Sequence, residues 1–261
     1  MKKEDKELIY DLLKKADANV NGYTSEAFKG EVSFKDEVVG SSPTMTTSSS
    51  PTMTTLSNPI MTTSSNPTMT TSSNEGLSLK DLNGKILRCT KCQLARTRNN
   101  VVPGEGVENP LVLVIGEGPG YDEDMSGRPF VGKAGILLDK MLAAIDLDRN
   151  KNCYIANVVK CRPPNNRDPE PQEQSACEGF LQAQIHILKP KMILCMGRIA
   201  GHKLLDSQTP LNQLRGQFFD YNGIPLMVTY HPSALLRDEA LKRPAWDDLK
   251  MFKKKLDELQ I

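Results

Sequence analysis

Apolar residues divide this chain into two unlike parts. Up to residue 76 they are sparse, and only Leu8-Ile9-Tyr10 with Leu12-Leu13, inside the charged stretch 1–15, predicts a short amphipathic helix. From Leu77 onward, short β-rich runs alternate with stretches whose apolar residues recur at helical spacing. The runs 111–115, 152–159, 192–196 and 225–230 predict four strands. Between them, 77–87, 134–145 and 198–205 predict helices, and Asp168-Pro169 reads as an N-cap and first turn opening a helix to about Leu188. A last helix, 245–259, sets Leu249, Phe252, Leu256 and Leu259 on one face. Alternation of this length implies an open, mainly parallel four-stranded sheet with helices on both faces, and such sheets bind ligands beyond the C-terminal ends of their strands.

Composition places the domain boundary between residues 76 and 77. Residues 1–76 hold no Arg, Cys or His, and from Pro43 a Pro-Thr-Met-Thr-Thr unit returns every eight residues, with Ile60 replacing Thr once. A Ser/Thr/Pro tract of this kind buries too little apolar surface to offset its ordering entropy, so it is expected to be a disordered tether rather than a β-solenoid. Charge follows the same boundary: seven Lys against ten acids before it, 26 basic residues against 22 acidic after it. The mild basic excess of 77–261 suits a polyanionic partner if it is clustered. The apolar patch at the start is too broken for a signal peptide, and no run of about 18 apolar residues predicts a membrane span.

The first strand of the compact part ends abruptly at Gly116-Glu-Gly-Pro-Gly, which marks the loop after it as the expected site. Two phosphate-binding readings of this stretch fail. Gly127 to Lys133 fits a phosphate loop, but Ala134 stands where a magnesium-binding hydroxyl is needed and no strand directly precedes Gly127. Gly116 and Gly118 begin a dinucleotide pattern, but Tyr121 occupies its third glycine, and Glu117, Asp122, Glu123 and Asp124 would repel pyrophosphate.

With no export signal, six cysteines point to metal or buried thiols rather than disulfides. Cys89 and Cys92 form a C-x-x-C pair, and Cys161 and Cys177 follow a strand and open a helix. Spacing alone leaves zinc and a [4Fe-4S] cluster equally open for these four. Cys153 and Cys195 lie within apolar strands and read as small buried thiols.

Gly116-Glu-Gly-Pro-Gly, Gly127-Arg-Pro-Phe-Val-Gly-Lys-Ala-Gly, Asn157-Val-Val-Lys-Cys-Arg-Pro-Pro-Asn-Asn-Arg and His231-Pro-Ser-Ala-Leu-Leu-Arg occur in that order. With the four cysteines, they make residues 77–261 resemble the family 4 uracil-DNA glycosylases, the iron-sulfur type. The resemblance implies a three-layer α/β/α fold and a [4Fe-4S] cluster on Cys89, Cys92, Cys161 and Cys177. It also implies excision of uracil from single- or double-stranded DNA, leaving an abasic site for base excision repair. A bacterial or archaeal cytosolic, nucleoid-associated monomer is expected, with the N-terminal tail free to meet replication or repair partners.

The residues suit that chemistry. Cleaving the deoxyuridine N-glycosidic bond leaves a cationic sugar and a uracil anion, so both charges need stabilising and a water is consumed. His231 is the expected donor to the uracil oxygen. Asn157 offers a donor and an acceptor to uracil's O4 and N3–H, a pattern that cytosine mismatches, and Phe130 is expected to stack on the base. Glu117, Gly118 and Pro119 would line the base pocket. The loop has no Asp before Asp122, so Glu117 and then Glu123 are the expected groups to position water or stabilise the cation. Leu235 or Leu236 would wedge into the stack when the base flips, with Arg237 on phosphate. Arg88, Lys91, Arg96, Arg98, Lys160, Arg162 and Arg167 would form a basic collar near the cysteines. The alternative function is a non-catalytic iron-sulfur DNA-binding module, accessory to repair or to a polymerase.

Overall fold

A computed structural model describes residues 78–259. The expected N-terminal helix and the Pro-Thr-Met-Thr-Thr repeats lie outside the described residues.

In chain order the elements are α1 (Leu79–Leu87), β1 (Glu105–Gly106), β2 (Val112–Gly116), α2 (Tyr121–Ser126), α3 (Lys133–Ala143), β3 (Cys153–Asn157), α4 (Pro171–Leu188) and β4 (Met192–Met196). They continue with α5 (Arg198–Leu205), α6 (Leu211–Leu214), β5 (Phe218–Tyr221), β6 (Ile224–Thr229), α7 (Pro232–Arg237) and α8 (Lys242–Leu259). The sheet order is β1-β3-β2-β4-β6-β5. The four strands expected from sequence, β3, β2, β4 and β6, form its parallel centre, and β1 and β5 add an antiparallel strand at each edge. The sheet is therefore six-stranded and mixed, where four strands are expected from sequence. β1 is only two residues long and has no apolar run to betray it. β5 had a signal: Asn222-Gly223, both at positive φ, is the two-residue hairpin turn that ties β5 to β6.

Side chains alternate across the sheet and make two cores. Val112, Val114, Cys153, Ile155, Leu194 and Met227 face a layer that includes Leu138 and Met141 of α3 and Trp246, Leu249 and Phe252 of α8. Leu113, Ile115, Tyr154, Ile193, Leu226 and Val228 face the other, with Ile86 of α1 and Phe180, Leu181 and Leu188 of α4. Every residue of β2, β3 and β4 is buried, as strands covered on both faces must be. The result is the expected three-layer α/β/α arrangement. Cys153 and Cys195 fall in opposite cores; burial pushes the Cys153 thiol up to about 12 and raises that of Cys195 as well.

One helix starts later than its sequence suggests. The cap of α4 is Glu170, whose backbone N–H donates to Glu173 at 2.8 Å, because the 169–171 Pro-Glu-Pro run holds the chain extended until Pro171. Asp168 is left outside the helix and pairs with Arg198 instead.

Candidate active site

The C-terminal ends of the parallel strands converge on one cleft. Gly116 closes β2 and stands in register with Asn157, the last residue of β3. That contact requires a glycine: a Cβ at residue 116 would lie 2.4 Å from Asn157 Oδ1 and 2.5 Å from Phe130 Cζ. Gly197 follows β4, and His231 lies two residues past β6. A Cβ on Gly197, which also has φ +93°, would lie 3.0 Å from the Cβ of His231. Phe130, Asn157, Gly197 and His231 line a cleft of about 580 Å³ together with Glu117, Gly118, Pro119, Glu123 and Arg237. Most of the residues singled out in the sequence therefore share one wall or another of the same space.

Asn157 is 2 % exposed, and its Oδ1 has no hydrogen-bond partner within the protein. An unpaired buried amide oxygen is costly, and this one belongs to a residue that lines the cleft. Phe130 adopts φ +52°, with its ring centroid 5.5 Å from that of His231. Gly135 makes this turn feasible, since any Cβ there would overlap the Phe130 carbonyl. The Arg149 guanidinium, donating to the carbonyls of Pro129 and Phe130 at 2.9 Å each, clamps it from behind.

His231 caps α7. Its Nδ1 accepts the backbone N–H of Ser233 at 3.1 Å and lies 2.8 Å from the Ser233 hydroxyl. With Nδ1 occupied as an acceptor, the neutral ring carries its proton on Nε2. Burial, helped by the positive charge of Arg237, lowers the His231 pKa to about 4, so this donor is neutral at ordinary pH. Glu117 is half-buried on the opposite loop. Burial and the nearby Asp168 carboxylate raise it to about 7, and Arg198 pulls the other way.

Glu123 is given a different task from the one expected. Its Oε1 accepts Val131 N–H at 2.8 Å and Gly132 N–H at 2.9 Å, and its Oε2 accepts Gly120 N–H at 3.0 Å. It ties the loop after β2 to the turn before α3. Leu235 is a second correction. It is 3 % exposed and packs with Leu137, Met141 and Trp246, because α7 presents that position to the core; only Leu236, about 100° farther round the helix, stays half-buried near the surface. In the basic collar, Lys160 is buried and Arg167 is ion-paired with Glu170 and Glu173, so neither is free for phosphate. Arg162 sits 5.1 Å from the ring centre of Tyr121, an aromatic 57 % exposed at the cleft mouth.

Sequence reasoning gave no site role to Ser233, Asp168, Arg198 or Arg149. Ser233 carried a readable signal, since a hydroxyl two residues after a capping position is a common backbone-bonding arrangement. The other three act across long sequence separations and had none.

Residues 103–250, more than half of the chain, match the family model described as the uracil DNA glycosylase superfamily. Over 181 residues the chain is 41 % identical to the type-4 uracil-DNA glycosylase of Archaeoglobus fulgidus, an alignment covering 66 % of this chain and 90 % of that one. This chain belongs to the type-4 uracil-DNA glycosylases. It is 43 % identical over 173 residues to the Thermotoga maritima type-4 glycosylase, covering 65 % and 90 % of the two chains. With the Pyrobaculum aerophilum type-4 glycosylase it shares 42 % over 186 residues, covering 67 % and 93 %.

This glycosylase also gathers four of its six cysteines outside the cleft. Cys89, Cys92, Cys161 and Cys177 line one small cavity together with Ile86, Arg98, Lys160 and Phe180, and all are free thiols. Arg98 Nη1 donates to Cys161 Sγ at 3.0 Å, and Lys91 N–H to Cys89 Sγ at 3.5 Å. Among the described residues no three His, Cys, Asp or Glu side chains converge tightly enough to hold a single metal ion. A tetrahedral zinc needs its sulfurs about 2.3 Å from one point, whereas a polynuclear cluster places one thiolate on each of its separate irons. The four thiols, with a cationic donor turned to Cys161 Sγ and an N–H donor to Cys89 Sγ, form an all-sulfur donor set of the kind that zinc or a polynuclear cluster takes. No helix of the described residues is long and apolar enough to cross a membrane.

Proposed function

We propose that this chain removes uracil from DNA by hydrolysing the N-glycosidic bond of deoxyuridine, leaving an abasic site. The observation that carries this reading is the pairing, in one cleft, of an unpartnered buried amide on Asn157 with a neutral imidazole whose Nε2–H is the free donor on His231. Uracil turned out of the duplex would stack on Phe130, offer N3–H to Asn157 Oδ1 and accept the Asn157 amide at O4. As the bond breaks, negative charge grows on the uracil oxygen facing His231 Nε2–H, a donor already oriented by Ser233. A neutral donor needs no proton transfer to act. The ionised carboxylate of Glu117 stabilises the sugar cation and positions water, with burial first and then Asp168 and Arg198 setting its charge state.

Exposed Arg237 and half-buried Leu236 face the DNA backbone and the gap left by the flipped base, and the Tyr121–Arg162 pair offers a stacking surface beside them. Single- and double-stranded DNA are both proposed substrates of a monomer. Residues 1–76 are proposed as an extension that reaches partners, and 77–261 as the catalytic domain. Cys89, Cys92, Cys161 and Cys177 would hold a [4Fe-4S] cluster, which braces the segment that leads out of β3.

The test is incubation of the purified protein with a uracil-containing oligonucleotide followed by alkali. Strand scission at the uracil positions is expected, and intact strands would leave only the non-catalytic DNA-binding reading.

A further inference from the structure

Lys160 is a long, fully buried lysine to which the reaction above assigns no part; it is 1 % exposed. Burying an ammonium is expensive unless its donors are satisfied, and two of them are met by short bonds. Nζ donates to the main-chain carbonyl of Asn157 at 2.7 Å and to Oε1 of Gln184 at 2.6 Å. Gln184 is itself 0 % exposed and passes the restraint on, donating from Nε2 to the Pro103 carbonyl at 2.8 Å. The first of these bonds bends back three residues along the chain onto the residue that closes β3 and faces the cleft. The backbone between is pinned as well: Val158 N–H donates to Gly116 O at 2.9 Å, Val159 N–H to Glu117 O at 3.1 Å, and Lys160 O accepts Val102 N–H at 2.8 Å.

The same side chain lines the cysteine cavity, and Cys161 is its immediate neighbour. Lys160 thus touches two sites that otherwise share no residue.

We propose that Lys160 is a positioning residue that couples the cysteine cage to base recognition: it fixes the backbone from which Asn157 reads the base, while its own backbone is anchored by the Cys161 end of the cage. The inference rests on the uracil-excision reading and adds to it a residue that never touches the substrate. Because Lys160 acts through Asn157, its loss degrades binding and discrimination of the base and leaves the His231-assisted step alone.

The experiment is a double-mutant cycle on the full chain. Lys160→Met keeps the length and apolar stem but leaves the Asn157 carbonyl and Gln184 without their donor. Lys160→Met is expected to raise KM for uracil-containing DNA by on the order of tenfold to a hundredfold, the range for stranding a buried polar group, with kcat changed far less. Excision from U·G relative to C·G duplexes should fall in parallel. Combined with Asn157→Ala, Lys160→Met should add almost nothing to the loss caused by Asn157→Ala alone. Gln184→Met, which releases the ammonium from the other side and leaves every cysteine in place, should move KM in the same direction by a smaller factor. This second variant decides the matter if Lys160→Met does not fold.

Losses that add fully in the Lys160→Met and Asn157→Ala double variant would overturn the proposal, as would a change confined to kcat or a Gln184→Met with wild-type KM. Iron content and visible absorption are recorded on each preparation. Lys160→Met that keeps the wild-type iron content while KM rises supports a positioning role, and one whose KM rises only in proportion to lost iron overturns it. Wild-type protein that cleaves no uracil DNA would instead sink the functional reading on which the inference stands.

Discussion

At the scale of single residues, two titrating groups in the cleft are pushed in opposite directions by the same burial. His231, lowered to about 4, is neutral in the folded protein over the pH range in which a free imidazole near 6.5 becomes charged. Unfolded chains bind the extra proton there, so this group favours the folded state above pH 6.5 and its contribution is lost as pH falls towards 4. Glu117, raised to about 7, has the reverse sign: the folded state holds the extra proton between about 4.5 and 7, and stability falls as pH rises through that window. Glu117→Gln should therefore be more stable than the parent at pH 8, by on the order of 1 kcal/mol, and no more stable at pH 5, as read by thermal unfolding. Single-turnover cleavage by the parent should rise with pH through about 7 and become flat in Glu117→Gln, at a much lower rate. His231→Ala should slow single-turnover cleavage by roughly 10²-fold, as for one lost oxyanion donor, with little change in affinity for uracil-containing DNA. A wild-type rate for His231→Ala would reassign the donor.

At the scale of elements, the site depends on how strands and loops are fastened. Glu123 joins the loop after β2 to the turn before α3 through three backbone N–H groups. Glu123→Ala strands all three and should destabilise the fold by about 2 kcal/mol or more, seen as a lower urea midpoint with unchanged slope. The β2–β3 register has an equally narrow tolerance. Gly116→Ala would drive a methyl group into both Asn157 and Phe130, so uracil excision should fall by more than tenfold while the far-ultraviolet circular dichroism stays that of the parent. Activity at the parental level would show that the Gly116 contact is slack.

At the scale of the whole molecule, the cysteine cage and the cleft are separate sites within the same described residues. Protein as isolated should be brown and carry about four irons per chain. Cys89→Ala should lose the metal and soluble protein together, whereas Cys153→Ala, altered inside a core on the other side of the sheet, should keep the iron. Colourless protein with one zinc would refute the cluster. A chain beginning near Gly76 should keep glycosylase activity, because among the described residues no cleft residue precedes Glu117. Normal folding with lost activity would place part of the site in the extension.

The sequence determined the four parallel strands, the layers that cover them, the loop after β2 and the place of Asn157 and His231 at strand ends, because hydrophobic period and strand-end chemistry are local properties of the chain. Only the tertiary structure decided what those residues meet. Edge strands too short or too polar to show a period, the inward turn of Leu235, the capture of Glu123 by three backbone amides and the bond from Lys160 to the Asn157 carbonyl all depend on register between elements. Side-chain direction and partner are set there by packing across the sheet, which sequence spacing does not encode.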